Sequence, residues 1–136
     1  MAGNRFPRDY HLKRRRLIRA LFDKSRSDVG FIHVGVAQIR YRVVPRSEVG
    51  ADVPVQIGFA PGSRMRTKVI RNRVRRVMRE TFRNHQKGLV DLFNRQSDCL
   101  TLMVLFRGQE DTADDDLRRD FPEALKRLED RLTDTT

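Results

Sequence analysis

Residues 69–83 read VIRNRVRRVMRETFR, and at about 100° per residue on a helical wheel they separate into two arcs. Ile70, Val74, Val77, Met78 and Thr81 gather on one. Arg71, Asn72, Arg75, Arg76, Arg79 and Arg83 fall on the other. A helix of this kind buries its apolar arc against a sheet and turns a row of guanidinium forks outward. Glu80 is the single acid of the stretch, so i,i+4 neighbours such as Arg71 and Arg75, or Arg75 and Arg79, repel each other by roughly a few tenths of a kcal/mol when no anion is bound. A sequence that accepts this repulsion points to phosphate. Guanidinium rather than ammonium points to RNA, whose phosphates can be gripped by paired hydrogen bonds and whose exposed bases can be stacked upon. Asn72, a neutral amide among the arginines, is a candidate to read a base edge or cap a carbonyl.

Outward from this helix, assigned to 67–86 with Thr67 as its cap, the flanking segments have clear periods. PGSRMR (61–66) is a loop, because Pro-Gly breaks a ladder and allows a sharp change of direction. Before it, VPVQIGFA (53–60) reads as a strand, RSEVGAD (46–52) as a turn, and FIHVGVAQIRYRVVP (31–45) as one long strand, bent near Gly35 and stopped at Pro45. HLKRRRLIRALFDKS (11–25) has Leu12, Leu17 and Leu21 at near-helical spacing with Ile18 and Phe22 beside them, which predicts a first helix started by Asp9. After the basic helix, CLTLMVLFR (99–107) is an apolar run of strand length, expected as a central strand covered on both faces. A last helix over about 114–132 sets Leu117, Phe121, Leu125, Leu128 and Leu132 on one side. The expected fold is a single-domain α+β sandwich over residues 11–132, with a flexible basic stretch at 1–10 and a loose tail at 133–136.

The chain has 136 residues and a formal net charge of +11, from 29 Lys and Arg against 18 Asp and Glu. That length can support a core without metals or disulfides, and that charge favours a polyanionic partner whose hold weakens with salt. The charge is uneven. Residues 63–88 are basic, with Glu80 alone opposing them, whereas 110–136 are mostly acidic, so a binding face and a non-binding face are expected. No apolar run approaches a transmembrane span, and the basic N-terminus lacks a secretory apolar region, so the protein is expected in the cytoplasm. Cys99, alone among apolar neighbours, reads as a small core residue. His11, His33 and His85 lie far apart, without zinc spacing.

Two further clusters bear on function. Lys13, Arg14, Arg15, Arg16 and Arg19 wrap around the first helix and suggest a second phosphate-contacting surface. Asp114, Asp115 and Asp116 invite a metal-dependent nuclease reading, but acids in a first helical turn also complement the helix dipole, and no histidine or second acidic motif accompanies them. The chain offers many phosphate binders and no convincing acid, base or nucleophile.

The run Arg71-Asn72-Arg73-Val74-Arg75-Arg76, followed by Arg79-Glu80 and Phe82-Arg83, resembles the RNR signature of the bacterial ribonuclease P protein component, the small basic partner of a catalytic RNA. HLKRRRLIRALF (11–22) looks like the family's first helix, Gly58 and Phe59 fall where its central strand ends, and LTLMVLFR (100–107) looks like its next strand, with Arg107 at the end. The resemblance spans roughly 11–130. It implies a ribosomal protein S5 domain 2-like fold, ordered α-β-β-(β)-α-β-α, with a left-handed βαβ crossover against the usual hand. It also implies that Arg64, Arg66, Lys68, Arg71, Asn72, Arg73, Arg75, Arg76 and Arg79 face the catalytic RNA. A cleft between the sheet and the first helix, with Lys13, Arg14, Ile18, Phe22, Tyr41 and Arg42, would take the 5′ leader of precursor tRNA. Two positions depart from the family: Arg66 stands where a glycine is usual, with Gly62 as the upstream candidate for the flexible point, and Ile18 replaces an aromatic.

The expected function is therefore that of a subunit without catalytic residues in an endoribonuclease whose active site and Mg²⁺ belong to RNA. The expected partners are the ribonuclease P RNA and precursor tRNA, with no metal held by the protein, no membrane and no obligate protein partner. A ribosomal or ribosome-assembly RNA-binding protein is the alternative.

Overall fold

The computed structural model describes residues 6–62 and 65–134. Its elements are α1 (Arg15–Leu21), β1 (Gly30–Val34), β2 (Ala37–Pro45), α2 (Arg46–Val49), β3 (Val55–Ala60), α3 (Lys68–His85), α4 (Lys87–Asn94), β4 (Asp98–Phe106) and α5 (Ala113–Asp134). The four strands form one mixed sheet in the order β1-β2-β4-β3. β1 with β2 and β2 with β4 are antiparallel; β3 and β4 are parallel, joined by a crossover through α3 and α4. The fold is α+β, as the sequence predicts.

β4 is the spine of the sheet. Both neighbours are strands and both its faces are covered, so everything from Cys99 to Phe106 is buried. Leu100, Leu102, Val104 and Phe106 point to one face, where they meet Val74, Val77, Met78 and Phe82 of α3 and Leu117, Phe121, Leu125 and Leu128 of α5. Cys99, Met103 and Leu105 point to the other, against Leu12, Leu17 and Leu21. An apolar strand without polar alternation is what burial on two faces requires.

Several expected boundaries are corrected. The long strand over 31–45 is a hairpin: Val34 pairs with Ala37, leaving Gly35 and Val36 as a two-residue loop. Gly35 has φ +53°, and the Asp120 carboxylate of α5 accepts the Val36 N–H at 3.0 Å, so the tip is tied to the last helix. The first helix is shorter than 11–25. At its front, His11 bridges Ile57 and the Leu12 N–H donates to the Ile57 carbonyl at 3.0 Å, so the chain extends the β3 edge before it coils. At its back, the Asp23 carboxylate accepts from the Ser25 N–H and hydroxyl, a local turn that competes with another helical turn.

The expected turn at 46–52 contains α2, ended by Gly50 at φ +73°. α4 was not anticipated; Leu89 and Phe93, four residues apart, anchor it to the core. Residues 6–10, expected to be loose, carry a 3-10 turn at Arg8–Tyr10, and Phe6 packs edge-on to Phe82 with ring centres 6.1 Å apart.

Candidate nucleic-acid interface

α3 is stapled to the sheet by the arc that its sequence predicts. Val74, Val77, Met78, Thr81 and Phe82 are buried, Ile70 packs at the margin, and the Thr67 hydroxyl caps the helix by accepting from the Ile70 N–H at 3.2 Å. That attachment leaves a shallow concavity on the opposite side, lined by Val69, Asn72, Arg73, Arg75, Arg76 and Arg79.

The arginines of this face are not equivalent. Arg76 is exposed and has no protein partner among the described contacts. Arg75 donates to the Asn72 side-chain oxygen at 3.2 Å. Arg73 pairs with Asp114 in the first turn of α5 at 2.9 Å, so the acidic segment borders the basic face directly instead of lying opposite to it. Arg71 turns back: its Nη1 donates to the Met65 and Arg66 carbonyls at 2.8 and 3.3 Å, which makes it a brace for the approach loop. Arg79 is half-buried, and its Nε is enclosed without an acceptor among the described residues. Burial, with the Arg79 and Lys13 cations adding to it, holds the neighbouring His11 below its ordinary value.

Arg66 and Lys68 are exposed at the start of the helix, and Arg64 lies outside the described residues. The backbone freedom that the sequence transfers from Arg66 to Gly62 is present: Gly62 has φ +95°, and no described non-glycine residue, Arg66 included, has positive φ.

The second surface lies across the sheet, beside α1. Phe22, at the end of α1, is 40% exposed and Phe31 of β1 is 54% exposed. The Arg40 guanidinium sits over both rings, 5.0 and 4.7 Å from their centres. Arg42 is on the same face but is paired with Asp28 at 2.8 Å; hydrogen bonds from Arg26 and Arg42 hold that carboxyl well below the usual range. Ile18 is half-buried against the core of this side.

Lys13 and Arg14 are placed apart from these residues, at the other end of α1, in a cleft shared with Arg8, His11 and Gln56. Tyr41 is a correction. It shares the face of Ile39 and packs in the α5-side core, where its hydroxyl meets Arg131 Nη1 at 3.3 Å. Strand alternation therefore gives the α1 surface to Arg40 and excludes Tyr41.

Two of the three acids at the start of α5 are committed elsewhere. Asp114 holds Arg73, while Asp116 pairs with Arg119 at 3.1 Å and accepts from the Thr112 hydroxyl. Among the described residues no group of three or more His, Cys, Asp or Glu side chains is placed to hold a metal ion. Cys99 is fully buried, and burial pushes its thiol up to about 12, so it stays protonated and inert at neutral pH.

A family model for ribonuclease P matches residues 6–129. The chain belongs to the ribonuclease P protein family. A structure of the Staphylococcus aureus RNase P protein, 16% identical, aligns over 88% of this chain and 94% of its own with a TM-score of 0.55. A mutant of that protein described as having defective mRNA degradation activity aligns over 88% and 87%, also at 16% identity, with a TM-score of 0.54. At that identity the likeness speaks for the fold. No curated protein matches the chain.

Within the ribonuclease P family the chain is a subunit of a tRNA-processing endoribonuclease. Its RNR signature brings Asn72, Arg73, Arg75, Arg76 and Arg79 to one concavity and sends Arg71 to the loop. Sequence reasoning missed Phe31. The alternation of Ala37, Ile39 and Tyr41 against Gln38, Arg40 and Arg42 is the signal that places Arg40 on the α1 side.

Proposed function

We propose that this ribonuclease P protein binds the catalytic RNA through the exposed side of α3 and the 5′ leader of precursor tRNA beside α1, in the cytoplasm, and so supports Mg²⁺-dependent cleavage by the RNA. The observation that carries this reading is the concavity on α3, where four arginines and an asparagine converge on a helix whose other side is locked into the core. Guanidinium groups at this spacing suit successive phosphates, and a net charge of +11 lowers the repulsion between two RNAs that must approach each other. In this reading the Mg²⁺ belongs to the RNA, which it supplies with an activated nucleophile. The protein contributes position and charge.

Salt titration of binding to the ribonuclease P RNA tests the reading. Arg73→Ala and Arg76→Ala are each expected to weaken binding without unfolding the protein. Each lost phosphate contact is expected to flatten the log–log salt dependence by roughly 0.9 on a duplex and 0.7 on a single strand. Affinity and slope unchanged in both variants would overturn it.

A further inference from the structure

Val69 is 78% exposed, the most exposed large hydrophobic side chain among the described residues, and it stands in the first turn of α3. Nothing among the described residues accounts for it. A β-branched residue is a poorer helix former than alanine, and at this exposure it gains little from burial. Isolated exposed valines are ordinary on protein surfaces, but the surroundings of this one are not: it forms the apolar part of a concavity otherwise lined by Asn72 and arginines. One helical turn separates Val69 from Asn72 and Arg73, and two turns separate it from Arg76, so the four share a face.

The Asn72 amide has a fixed sense. Arg75 has only donors, so the Asn72 group it meets at 3.2 Å must be the carbonyl oxygen, and the amide N–H groups are left to donate elsewhere. A phosphate offers no surface to a valine methyl. A nucleobase offers both an apolar face and edge acceptors, but in an A-form helix the faces are stacked and the deep major groove excludes side chains. The base that fits is unpaired.

Resting on the RNA-binding reading above, we propose that the first turns of α3 form a nucleobase site. Val69 packs on the face of one unpaired base, the Asn72 amide donates to acceptors on its edge, and Arg73 and Arg76 hold the flanking phosphates. Because Arg75 engages the Asn72 oxygen and leaves both N–H groups as the outward donors, the site favours an acceptor-rich edge such as that of guanine or uracil.

The test uses the full chain and a transcript of the ribonuclease P RNA. Val69→Ala removes no buried contact and keeps a good helix former, so its melting temperature is expected to match the parent. Its RNA affinity is expected to fall about fivefold at every salt concentration with the salt slope unchanged, since only apolar contact is lost. Arg76→Ala is expected to flatten the slope instead. Reagents that modify unpaired guanine and uracil are expected to find one base that the parent protein protects and that Val69→Ala leaves reactive. Val69→Lys is expected to steepen the slope while also leaving that base reactive.

Val69→Ala binding within about twofold of the parent, or no guanine or uracil protected, would overturn the base site while a flattened slope in Arg76→Ala kept the RNA-binding reading. Affinity and slope unchanged in both Arg73→Ala and Arg76→Ala would remove that reading and the base site with it.

Discussion

Gly35 and Asp120 show how much of this fold hangs on single residues. At φ +53° the hairpin tip needs a residue without a Cβ, and an added Cβ would also collide with the Asp120 carboxylate. Gly35→Ala is expected to cost at least about 1–2 kcal/mol, read from the urea midpoint. Asp120 itself is held below its ordinary value of 3.8 by the Arg119 guanidinium, 2.8 Å away, and by the Val36 N–H. With the folded value below the unfolded one, its contribution is fully present above about 3.8 and is lost as pH falls through the folded value. Urea titrations between neutral and acid pH are expected to show that loss in the parent and to show less of it in Asp120→Asn. The bend near Gly35 is legible in the sequence, but its tie to Asp120 is not, because contacts between residues 36 and 120 leave no periodic trace in either segment. Tyr41 shows a different limit: its strand is plain in the sequence, but its face follows from the alternation with Ile39 and not from the family resemblance.

α3 carries folding on one side and the binding surface on the other, and both were legible because a period of 3.6 residues separates them cleanly. Met78 is fully buried, so Met78→Ala is expected to destabilise the protein by about 2–5 kcal/mol in urea unfolding while the folded protein keeps its salt slope for RNA. Arg75→Ala is expected to do the reverse. It relieves repulsion from Arg71 and Arg79, so stability should hold or rise by roughly a few tenths of a kcal/mol, whereas RNA affinity falls. β4 was equally plain from its unbroken apolar run. α4 is not, since its apolar residues Leu89, Val90, Leu92 and Phe93 span little more than one turn, too short a run to repeat a period. The hairpin was read as one strand because Gly35 and Val36 are the whole of its loop.

Across the molecule, the basic segment 63–88 and the acidic segment 110–136 meet at the Arg73–Asp114 pair, so the first turn of α5 forms one border of the α3 face. The sheet divides two candidate surfaces: α3 packs on one side and α1 on the other. A protein that touches two RNAs needs such a division, with positive charge reaching both. Composition disclosed the partner class, and the RNR run disclosed the family; the bracing role of Arg71 and the pairing of Arg73 depend on contacts across 6 and 41 positions and had to be seen.

The most direct test is 5′ cleavage of precursor tRNA at low Mg²⁺, with the catalytic RNA alone, the protein alone and the two together. Cleavage is expected only when both are present, and at higher Mg²⁺ the RNA alone should recover part of it as the ion takes over screening. Cleavage by the protein alone, or no enhancement when it is added to the RNA, would contradict the assignment of chemistry to the RNA and of position and charge to the protein.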